Sequence, residues 1–588
     1  MENLLPFMRI MSETHSQRRN RSVQPPWVCH SAWMVSIPNR TAGRLLPWLI
    51  CSLLLLTGEP LPAQIGLAIG QNFTSSTYGV NSSALPPDAN GAIGPRHFME
   101  FINGTVAVYN KTNGVRLQRK TDVKFWSDAG LIISPDSAVT DPRVIYDPAS
   151  QRWFASMVDF DSTASDPTLE ANDFLFAVSA TSDPTGTWHG FLFQADPDFG
   201  NFADFPTLGL DANAVYLAGD FFQASSPVGP GLVSMPKSDL LAATPTITNR
   251  TWFGVMDYAV RGEVLQPAIC SDGSSSGNIV AVGDIGMDSS LHSNLVAFAV
   301  LDSASPTATL ADSTNLTVLP YFVPDNSVEG APLLTPTQPD GTSALEANDA
   351  RFAAKVYAVN GVIYAVHNTE YNNRIAIRWY RINAANRHLL ESGTIADPNL
   401  DLFFPSIAAN ASGTVVIGCN GTGPGVYISC YAYVGATVNG ITTFGGANLL
   451  QSGAIDYHGD DEVYADLLGT PPLSRWGDYS ATSVDPNDSS RFWTIQIYPS
   501  DTDVWSTQIT ELITTQSLPH LGIVSTGTNM LLSWPSSGGS FQLQQSTNLV
   551  SSANWSILSA TLVTNGGTVS AVVPVSGNQK FFRLKQGP

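Results

Sequence analysis

The chain is short of charged residues, which make up 13% of its 588 residues, about half of the ~25% usual for soluble domains. Glutamate is especially scarce, with 12 Glu against 37 Asp. Glu and Lys favour exposed helices, whereas Asp favours turns and caps. Their scarcity argues against helical bundles, coiled coils and α/β enzymes with many surface helices.

Basic charge is also scarce, because 28 Lys and Arg face 49 Asp and Glu and leave a net charge of −21. This balance argues against a phosphate-binding surface, and no nucleic-acid partner is expected. What is abundant is Gly (48) and Pro (39), together with 43% hydrophobic residues. That composition is typical of a folded chain of strands and turns rather than of a disordered one.

Cysteine is rare as well, and only Cys270, Cys419 and Cys430 follow residue 64. No zinc-like spacing is present. Cys419 and Cys430 lie on two strands joined by a short Gly-rich turn, and the simplest hairpin register pairs Cys419 with Tyr427. We therefore predict buried free thiols, with a single disulfide as the alternative.

Long apolar runs are missing after the first 64 residues, so no membrane span is expected in the mature chain. The run LLPWLICSLLLL at 45–56 follows Arg40 and Arg44 and suits a signal peptide, so residues 1–64 are predicted to be a leader that directs export to the cell surface or medium. The 33 residues before Met34 would make an unusually long n-region, so translation is expected to start at Met34. A genuine long leader is the alternative. Without residues 1–64 the charge becomes 22 − 46 = −24.

A unit of about 65 residues recurs between residues 94 and 485. Each copy opens with a short apolar strand that ends in Asp or Asn, and two or three further strands follow. One such meander cannot bury both of its faces, so seven copies predict an all-β chain with a seven-bladed β-propeller at 65–516. Residues 71–79 are expected to supply the fourth strand of the last blade. The alternative to a propeller is an array of β-sandwiches. The opening strands include DPRVIYD (141–147), FPTLGLD (205–211), FPSIAAN (404–410) and YSATSVD (479–485).

Three segments resemble known families. TSDPTGTW at 181–188 resembles the Asp-box turn of sialidase-type propellers, with its Gly one place late, and RWGDYS at 475–480 resembles the closing blade of large secreted bacterial propeller proteins. This resemblance covers about residues 80–515 and implies seven blades and an extracellular location, but no activity. In the tail, 517–588, LLSWP followed by FQLQQS resembles a fibronectin type III-like sandwich, which implies a small β-sandwich module with a binding or spacer role.

Polar residues recur at the start of strand 1 and the end of strand 2, two places that a meander puts on one face. They predict an acidic rim around the channel mouth, although local Asx-turns are the alternative for each residue. At the ends of second strands lie Asn103, Asp159, Asp220, Asp284, Asn368 and Asn420. Near the starts of first strands lie Asp88, Asp141, Asp204, Asp349 and Asp478.

Three arginines lie near the same strand starts, and their planar forks could bind the carboxylate of an acidic sugar. Pairing with neighbouring Asp residues is the alternative. Nearby aromatic side chains suit either sugar stacking or the core: Phe205, Tyr371, Phe404, Trp476 and Tyr479. The candidate ligand-binding residues are thus Asp88, Asp141, Arg143, Asp159, Asp220, Asp284, Asp349, Arg351, Asn368, Tyr371, Asn420, Arg475 and Asp478.

No metal, cofactor or catalytic residue is assigned. Carboxylate and carbonyl oxygens suit Ca²⁺, but the sequence has no DxDxDG-type loop, and it lacks the GxSxG, HExxH, P-loop and Rossmann patterns. One acidic cluster in the long 451–474 insertion either binds a metal or is a solvated loop: Asp456, His458, Asp460, Asp461 and Glu462.

The leading hypothesis is a secreted recognition protein that binds a glycan or an extracellular protein through the acidic propeller face. One alternative is a carbohydrate-active enzyme, a hydrolase or lyase, that uses two of the rim Asp residues. Another is a structural surface protein without a pocket. Fold alone does not decide among them, since propellers carry many functions.

Overall fold

The structure is a computed structural model, and it describes residues 65–588 apart from thirteen gaps. The predicted leader, Asp284 and the three acidic residues at 460–462 therefore lie outside the described residues. In the described part of the chain, no helix is long and apolar enough to cross a bilayer. The gaps are 225, 275–276, 284–290, 325–333, 342–344, 439, 460–473, 517–520, 536–540, 548–554, 566–567, 575–579 and 587–588.

Within residues 65–516 the structure describes seven antiparallel sheets. Six are meanders whose strands follow one another in the chain, and the seventh takes one strand from the other end of the propeller. Blades 1 to 3 contain β2 (Asn90–Ile93), β3 (His97–Ile102), β4 (Thr105–Asn110) and β5 (Arg116–Lys120); β6 (Ser137–Asp147), β7 (Arg152–Asp161), β8 (Asp173–Ser179) and β9 (Trp188–Gln194); β10 (Phe202–Leu210), β11 (Ala214–Gln223), β12 (Ser226–Pro236) and β13 (Thr251–Val255).

Blades 4 to 6 continue the series, and two of them carry a fifth strand. They contain β14 (Glu263–Pro267), β15 (Asn278–Val282), β16 (Leu291–Leu301), β17 (Thr309–Leu310) and β18 (Thr314–Phe322); β19 (Tyr357–Val359), β20 (Val362–Glu370), β21 (Ile375–Asn383) and β22 (Leu389–Ile395); β23 (Asp401–Ala409), β24 (Thr414–Gly423), β25 (Val426–Val438), β26 (Ile441–Phe444) and β27 (Asn448–Gln451).

Blade 7 joins the two ends of the ring. Its strands β28 (Ala481–Val484), β29 (Arg491–Asp501) and β30 (Val504–Gln516) are completed on the outer edge by β1 (Ile65–Thr77). Residues 71–79 were predicted to close the ring in this way; the strand starts six residues earlier and ends at Thr77. Inner strands of neighbouring blades contact one another, including β28 with β2. Blades 4 and 5 are joined through backbone hydrogen bonds of Ile269 with Val356 and Ala358. The chain is therefore a closed β-propeller, as predicted.

The core is divided among the interfaces between neighbouring blades. Seven clusters of buried apolar side chains lie between consecutive sheets, for example Met99 of blade 1 with Trp153 and Val144 of blade 2, and the cluster between blades 7 and 1 also includes side chains of blades 5 and 6. The inner strand β23 is buried at all nine positions. Each sheet is thus covered by its neighbours, which is the packing that radial repetition requires.

The Asp and Asn residues that end the first strand of each repeat form a belt on the face opposite the channel mouth. Five of the six accept hydrogen bonds from the turn that follows, as in Asp147, whose carboxylate accepts from the N–H groups of Ala149 and Ser150. Most also reach the next blade. The pairs are Asp147 with Lys237, Asp211 with Gly277, Asp272 with Asn360, Asn360 with Ala411, Asn410 with Ser489, and Asp485 with Lys111.

Helices are few and short in the described residues: α1 (Asp122–Asp128), α2 (Lys237–Leu240), α3 (Tyr258–Arg261) and a 3₁₀ turn (Pro167–Leu169). Thr121 caps α1 by accepting a hydrogen bond from Lys124 N–H, and the helix buries Phe125 and Trp126. These two rings join the cluster between blades 1 and 2.

The C-terminal residues form two further sheets around a small core of their own, as the predicted sandwich requires. The sheets contain β31 (Gly522–Thr526), β32 (Asn529–Pro535), β36 (Thr568–Pro574) and β35 (Leu562–Asn565), and β34 (Ser556–Ile557), β33 (Phe541–Ser546) and β37 (Phe581–Gln586). Their buried side chains are Leu532, Trp534, Leu543, Ala571 and Val573.

The three described cysteines are free and buried, as predicted. The expected register of their hairpin was wrong, because Cys419 pairs with Tyr431 and not with Tyr427. The strands continue to Gly423 and Val426 before the chain turns, which places the turn later than the Gly-rich run suggested.

Candidate functional site

The inner strands share a kink at the channel mouth. In four blades one residue with positive φ interrupts the pairing between the inner strand and its neighbour, the sign of a β-bulge. Positive φ is strained for residues other than glycine, and is exceptional for a β-branched Val. The kinked residues are Asp141, Phe205, Val264 and Phe404.

Three carboxylates from blades 1, 2 and 7 converge at this mouth. Asp88, Asp141 and Asp478 each offer an oxygen, and these three oxygens lie within 4.8 Å of one another. Asp88 and Asp141 are completely buried, and Asp478 is 3% exposed. Residues 390 positions apart in the chain therefore meet in one cluster, here called the carboxylate triad.

Asn103 fixes the positions of two members of the triad. Its amide donates to Asp88 Oδ2 at 2.7 Å, and its carbonyl accepts from Asp141 N–H at 3.0 Å. The N–H of Asp478 donates to Asp88 Oδ1 at 3.1 Å. Asp141 Oδ1 accepts from the Thr140 hydroxyl at 3.1 Å, whereas its Oδ2 is buried without a hydrogen-bond partner among the described residues.

Burial and mutual repulsion make these carboxyl groups weak acids. Burial raises the pKa of Asp141 to about 7, and the charges of Asp204 and Asp478 add to the increase. Burial, followed by the charges of Asp478 and Asp141, raises the pKa of Asp88 well above its usual value. A protonated carboxyl at this site is therefore accessible near neutral pH.

A second acidic pair lies beside the triad on blade 3. Asp204 and Asp220 face each other across β10 and β11, an arrangement in which like charges repel. Burial raises the pKa of each to about 6, although the Arg351 charge acts in the opposite direction on both. Asp204 is half-buried and Asp220 is buried.

The predicted arginines are already engaged by the protein. Arg351 bonds the Asp349 carboxylate through Nε and Nη2 at 2.6 to 2.9 Å. Arg475 bonds Asp478 at 3.0 and 3.2 Å and pairs with Glu346 at 2.9 Å. Both arginines thus neutralise nearby carboxylates, which was the alternative to a clamp for an acidic sugar.

Arg143 and Lys355 cross the channel below the triad. Arg143 donates to the carbonyls of Pro206 at 2.7 Å and Ala353 at 2.8 Å, and its guanidinium lies 3.5 Å from the Tyr479 ring centroid. Lys355 Nζ donates to Gly91 O at 2.6 Å. Burial lowers the pKa of Lys355 well below its usual value, and the Arg143 charge adds to the decrease. These side chains fill the channel interior.

A narrow pocket opens at the mouth between blades 5 and 6. Its polar lining comes from Asn348, Asp349, Arg351 and Asn368. Asn368 donates to Ala347 O at 2.6 Å, while its buried Oδ1 has no hydrogen-bond partner among the described residues. The Arg351 guanidinium stacks on the Phe205 ring at 4.7 Å. The pocket therefore presents one free acceptor beside an ion pair that is partly open to solvent.

Three predicted site residues lie away from this cluster. Asp159 accepts from Asp173 N–H at 2.7 Å, where burial raises its pKa to about 6. Asn420 is satisfied by Ile497 O and by the Trp476 indole. Tyr371 is 49% exposed.

The aromatic residues other than Tyr371 are buried: Phe205, Phe404, Trp476 and Tyr479. Their burial assigns them to the core, which was the alternative to sugar stacking.

Sequence reasoning missed three polar residues of the site. Glu346 and Asn348 lie in the EANDARF run of the insertion before blade 5, and Lys355 follows it in AKVYAV. A lysine inside an apolar inner strand was the available signal. In the neighbouring insertion, His458 Nε2 lies 2.7 Å from Asp340 Oδ2, and Asp456 accepts from Asp340 N–H.

Comparisons with known proteins do not assign the chain to a family. No family model matches it, and no curated protein matches it. Similar solved structures share 7 to 11% identity with it, too little to assign an activity. The match to a Hadza microbial sialidase covers 73% of this chain and 66% of the sialidase, at 11% identity and a TM-score of 0.35. The match to an ulvan lyase covers 73% of this chain and 94% of the lyase, at 11% identity and a TM-score of 0.34. The match to a GH43 endo-arabinanase from Bacillus licheniformis covers 62% of this chain and 98% of the arabinanase, at 10% identity and a TM-score of 0.29.

Proposed function

We propose that the chain is an exported recognition protein that binds a neutral glycan at the mouth of the propeller channel. The observation that carries this proposal is the small pocket formed by Asn348, Asp349, Arg351 and Asn368, which admits a single hydroxyl group rather than a whole sugar ring and contains the buried, unpartnered Asn368 Oδ1. Amide, carboxylate and guanidinium groups can each bond sugar hydroxyls. The buried acceptor requires a donor, and a hydroxyl supplies one.

Charge favours a neutral glycan over an acidic one. The mouth carries the acids of the carboxylate triad together with Asp204, Asp220 and Asp349, and its arginines Arg351 and Arg475 are already paired with carboxylates. An added uronate or sialate group would meet like charge, whereas a hydroxyl would not. The export signal and the C-terminal module complete the proposal, with the module as a tether or spacer.

Binding to a glycan array tests the function. The protein, expressed with its own leader and purified as the host releases it, should bind neutral glycans and leave sialylated or uronate-rich ones unbound. Asp349→Ala should weaken that binding at least tenfold, equivalent to about 1.4 kcal/mol. Asp161→Ala removes a solvent-facing carboxylate at the end of β7 and should bind like the wild type. Equal binding by both variants would place the glycan elsewhere.

A second candidate function is glycan cleavage, and Asp204 favours it. This residue is half-buried next to the pocket, and its pKa of about 6 suits a general acid near neutral pH. Against it, the carboxylates of the triad are shielded from a polymeric substrate. Release of reducing ends from a bound glycan, abolished in Asp204→Asn, would establish cleavage. Binding without release supports recognition alone.

A further inference from the structure

We propose that the carboxylate triad is a Ca²⁺ site that joins blades 1, 2 and 7 at the channel mouth. Asp88, Asp141 and Asp478 supply one oxygen each, and no calcium-binding loop marks the site in the sequence, because its ligands come from three separate repeats. This proposal stands independently of the glycan pocket, which is formed by other residues.

The spacing of the oxygens fits one calcium ion. Ca²⁺ binds oxygen at 2.3–2.6 Å, so two oxygens on one ion lie at most about 5 Å apart. The three oxygens of the triad lie within 4.8 Å of one another. An all-oxygen, carboxylate-rich ligand set is the chemistry of hard divalent cations, and the flexible geometry of Ca²⁺ tolerates unequal spacing better than the strict octahedron of Mg²⁺.

A separate observation points to a missing ligand. Asp141 Oδ2 is buried and has no hydrogen-bond partner among the described residues, although almost all buried polar atoms have one. The other oxygen of the same carboxylate accepts from Thr140, and the two Asp88 oxygens accept from Asn103 and Asp478 N–H. The carboxylate most in need of a partner therefore belongs to the cluster.

The neighbouring cations do not replace such an ion. Arg475 bonds Asp478 and Glu346, and Arg143 donates through Nε and Nη1 to the carbonyls of Pro206 and Ala353, while its buried Nη2 has no hydrogen-bond partner among the described residues. Acidic groups still outnumber basic ones around the mouth, once Asp204, Asp220 and the Asp349–Arg351 pair are included. A divalent cation would reduce this imbalance at its centre.

Calorimetric titration of Ca²⁺ into the released protein, after removal of metals with EDTA, tests the site. One equivalent should bind, and the thermal midpoint should rise with Ca²⁺ concentration, because the ion binds the folded state. Asp141→Asn and Asp88→Asn should each raise Kd at least tenfold. Asp159→Asn alters a half-buried carboxylate of raised pKa outside the triad and should leave Kd unchanged.

A second measurement uses only the wild-type protein, in case the variants fold poorly. Metal ligands must be deprotonated, so Ca²⁺ binding at pH 6.5 should release protons from the triad. Titration in buffers of different ionisation enthalpy measures that number. Absence of binding at millimolar Ca²⁺, or binding without proton release and unaffected by both triad variants, would overturn the proposal.

Discussion

The raised pKa values of the site originate in single residues whose backbone is strained. Asp88 and Asp141 both have positive φ, at 50° and 61°, and both are fully buried. Such a backbone costs of order 1–3 kcal/mol per residue and persists only where the surroundings enforce it. Here the enforcing contacts come from Asn103, which bonds to both residues. Strain and burial together hold carboxylates where repulsion would separate them.

The pKa of Asp141 makes stability depend on pH. Its folded-state pKa of about 7 exceeds its usual value of 3.8, so the folded state binds the proton more tightly and the free energy of unfolding falls as pH rises from about 4 to 7. Asp141→Asn stays neutral. In EDTA its free energy of unfolding should exceed the wild type by roughly 4 kcal/mol at pH 7.5, because the pKa shift is about three units at about 1.4 kcal/mol per unit, and should nearly match it at pH 4.

Urea unfolding at the two pH values measures this difference. Asp161→Asn is the control, because hydrogen bonds from Thr163 lower the pKa of that solvent-facing carboxyl. Its variant should gain nothing on going to pH 7.5. A stability difference for Asp141→Asn that does not change with pH would contradict the assigned pKa.

The sequence placed most of these residues on the correct face but not at the correct depth. Strand-end positions predicted a rim of Asp and Asn, and the triad, Asp220, Asp349 and Asn368 do lie at the mouth. Periodicity carries no information on how far a side chain projects toward the axis. For the same reason the sequence did not distinguish Asn420 and Asp159 from the residues at the mouth. In the structure, the side chains of Asn420 and Asp159 are satisfied by local hydrogen bonds.

At the scale of strands, the belt of turn residues explains why each repeat ends its first strand in Asp or Asn. The side chain stabilises its own turn and also reaches the next blade, as Asp147 does with Lys237 at 2.7 Å. The repeat was readable from the sequence because both tasks need a short acceptor at one fixed position. The bulges of the inner strands could not be predicted from the sequence, because residues as different as Asp, Phe and Val occupy them.

Removing the charge of Lys237 should destabilise the propeller. Both Lys237 and Asp147 are buried, at 6% and 0% side-chain exposure, and breaking a buried pair leaves an uncompensated charge that costs about 3–5 kcal/mol. Lys237→Met should lower the free energy of unfolding by about that amount. Lys124→Met breaks an exposed pair with Asp128 and should change it by less than about 1 kcal/mol. Denaturant titration measures the free energy of unfolding of both variants. Equal losses would show that the buried pair in the belt stabilises the fold no more than an exposed pair does.

At the scale of the whole molecule, the ring depends on a strand from the other end of the propeller chain. β1 pairs with β30, and Glu100 of blade 1 accepts hydroxyl hydrogen bonds from Ser76 on β1 and Thr507 on β30. The buried Glu100 carboxylate thereby ties the first blade to both strands of the closure. An incomplete seventh repeat and an unassigned strand at 71–79 made the closure predictable, whereas the Glu100 contacts depend on side-chain geometry that the repeat does not encode.

Deletion of residues 65–77 should therefore affect the entire propeller rather than one blade. It removes the outer strand of blade 7, exposes the edge of β30, and leaves Glu100 without its donors Ser75 and Ser76. An unpaired edge strand promotes association between chains. We expect a loss of thermal midpoint of at least about 10 °C and dimers or larger species in size-exclusion chromatography. Deletion of residues 517–588 is the matched control, because that module has its own core. It should leave the propeller transition in place, and an equal loss for both deletions would mean that the closure strand is not what holds the ring together.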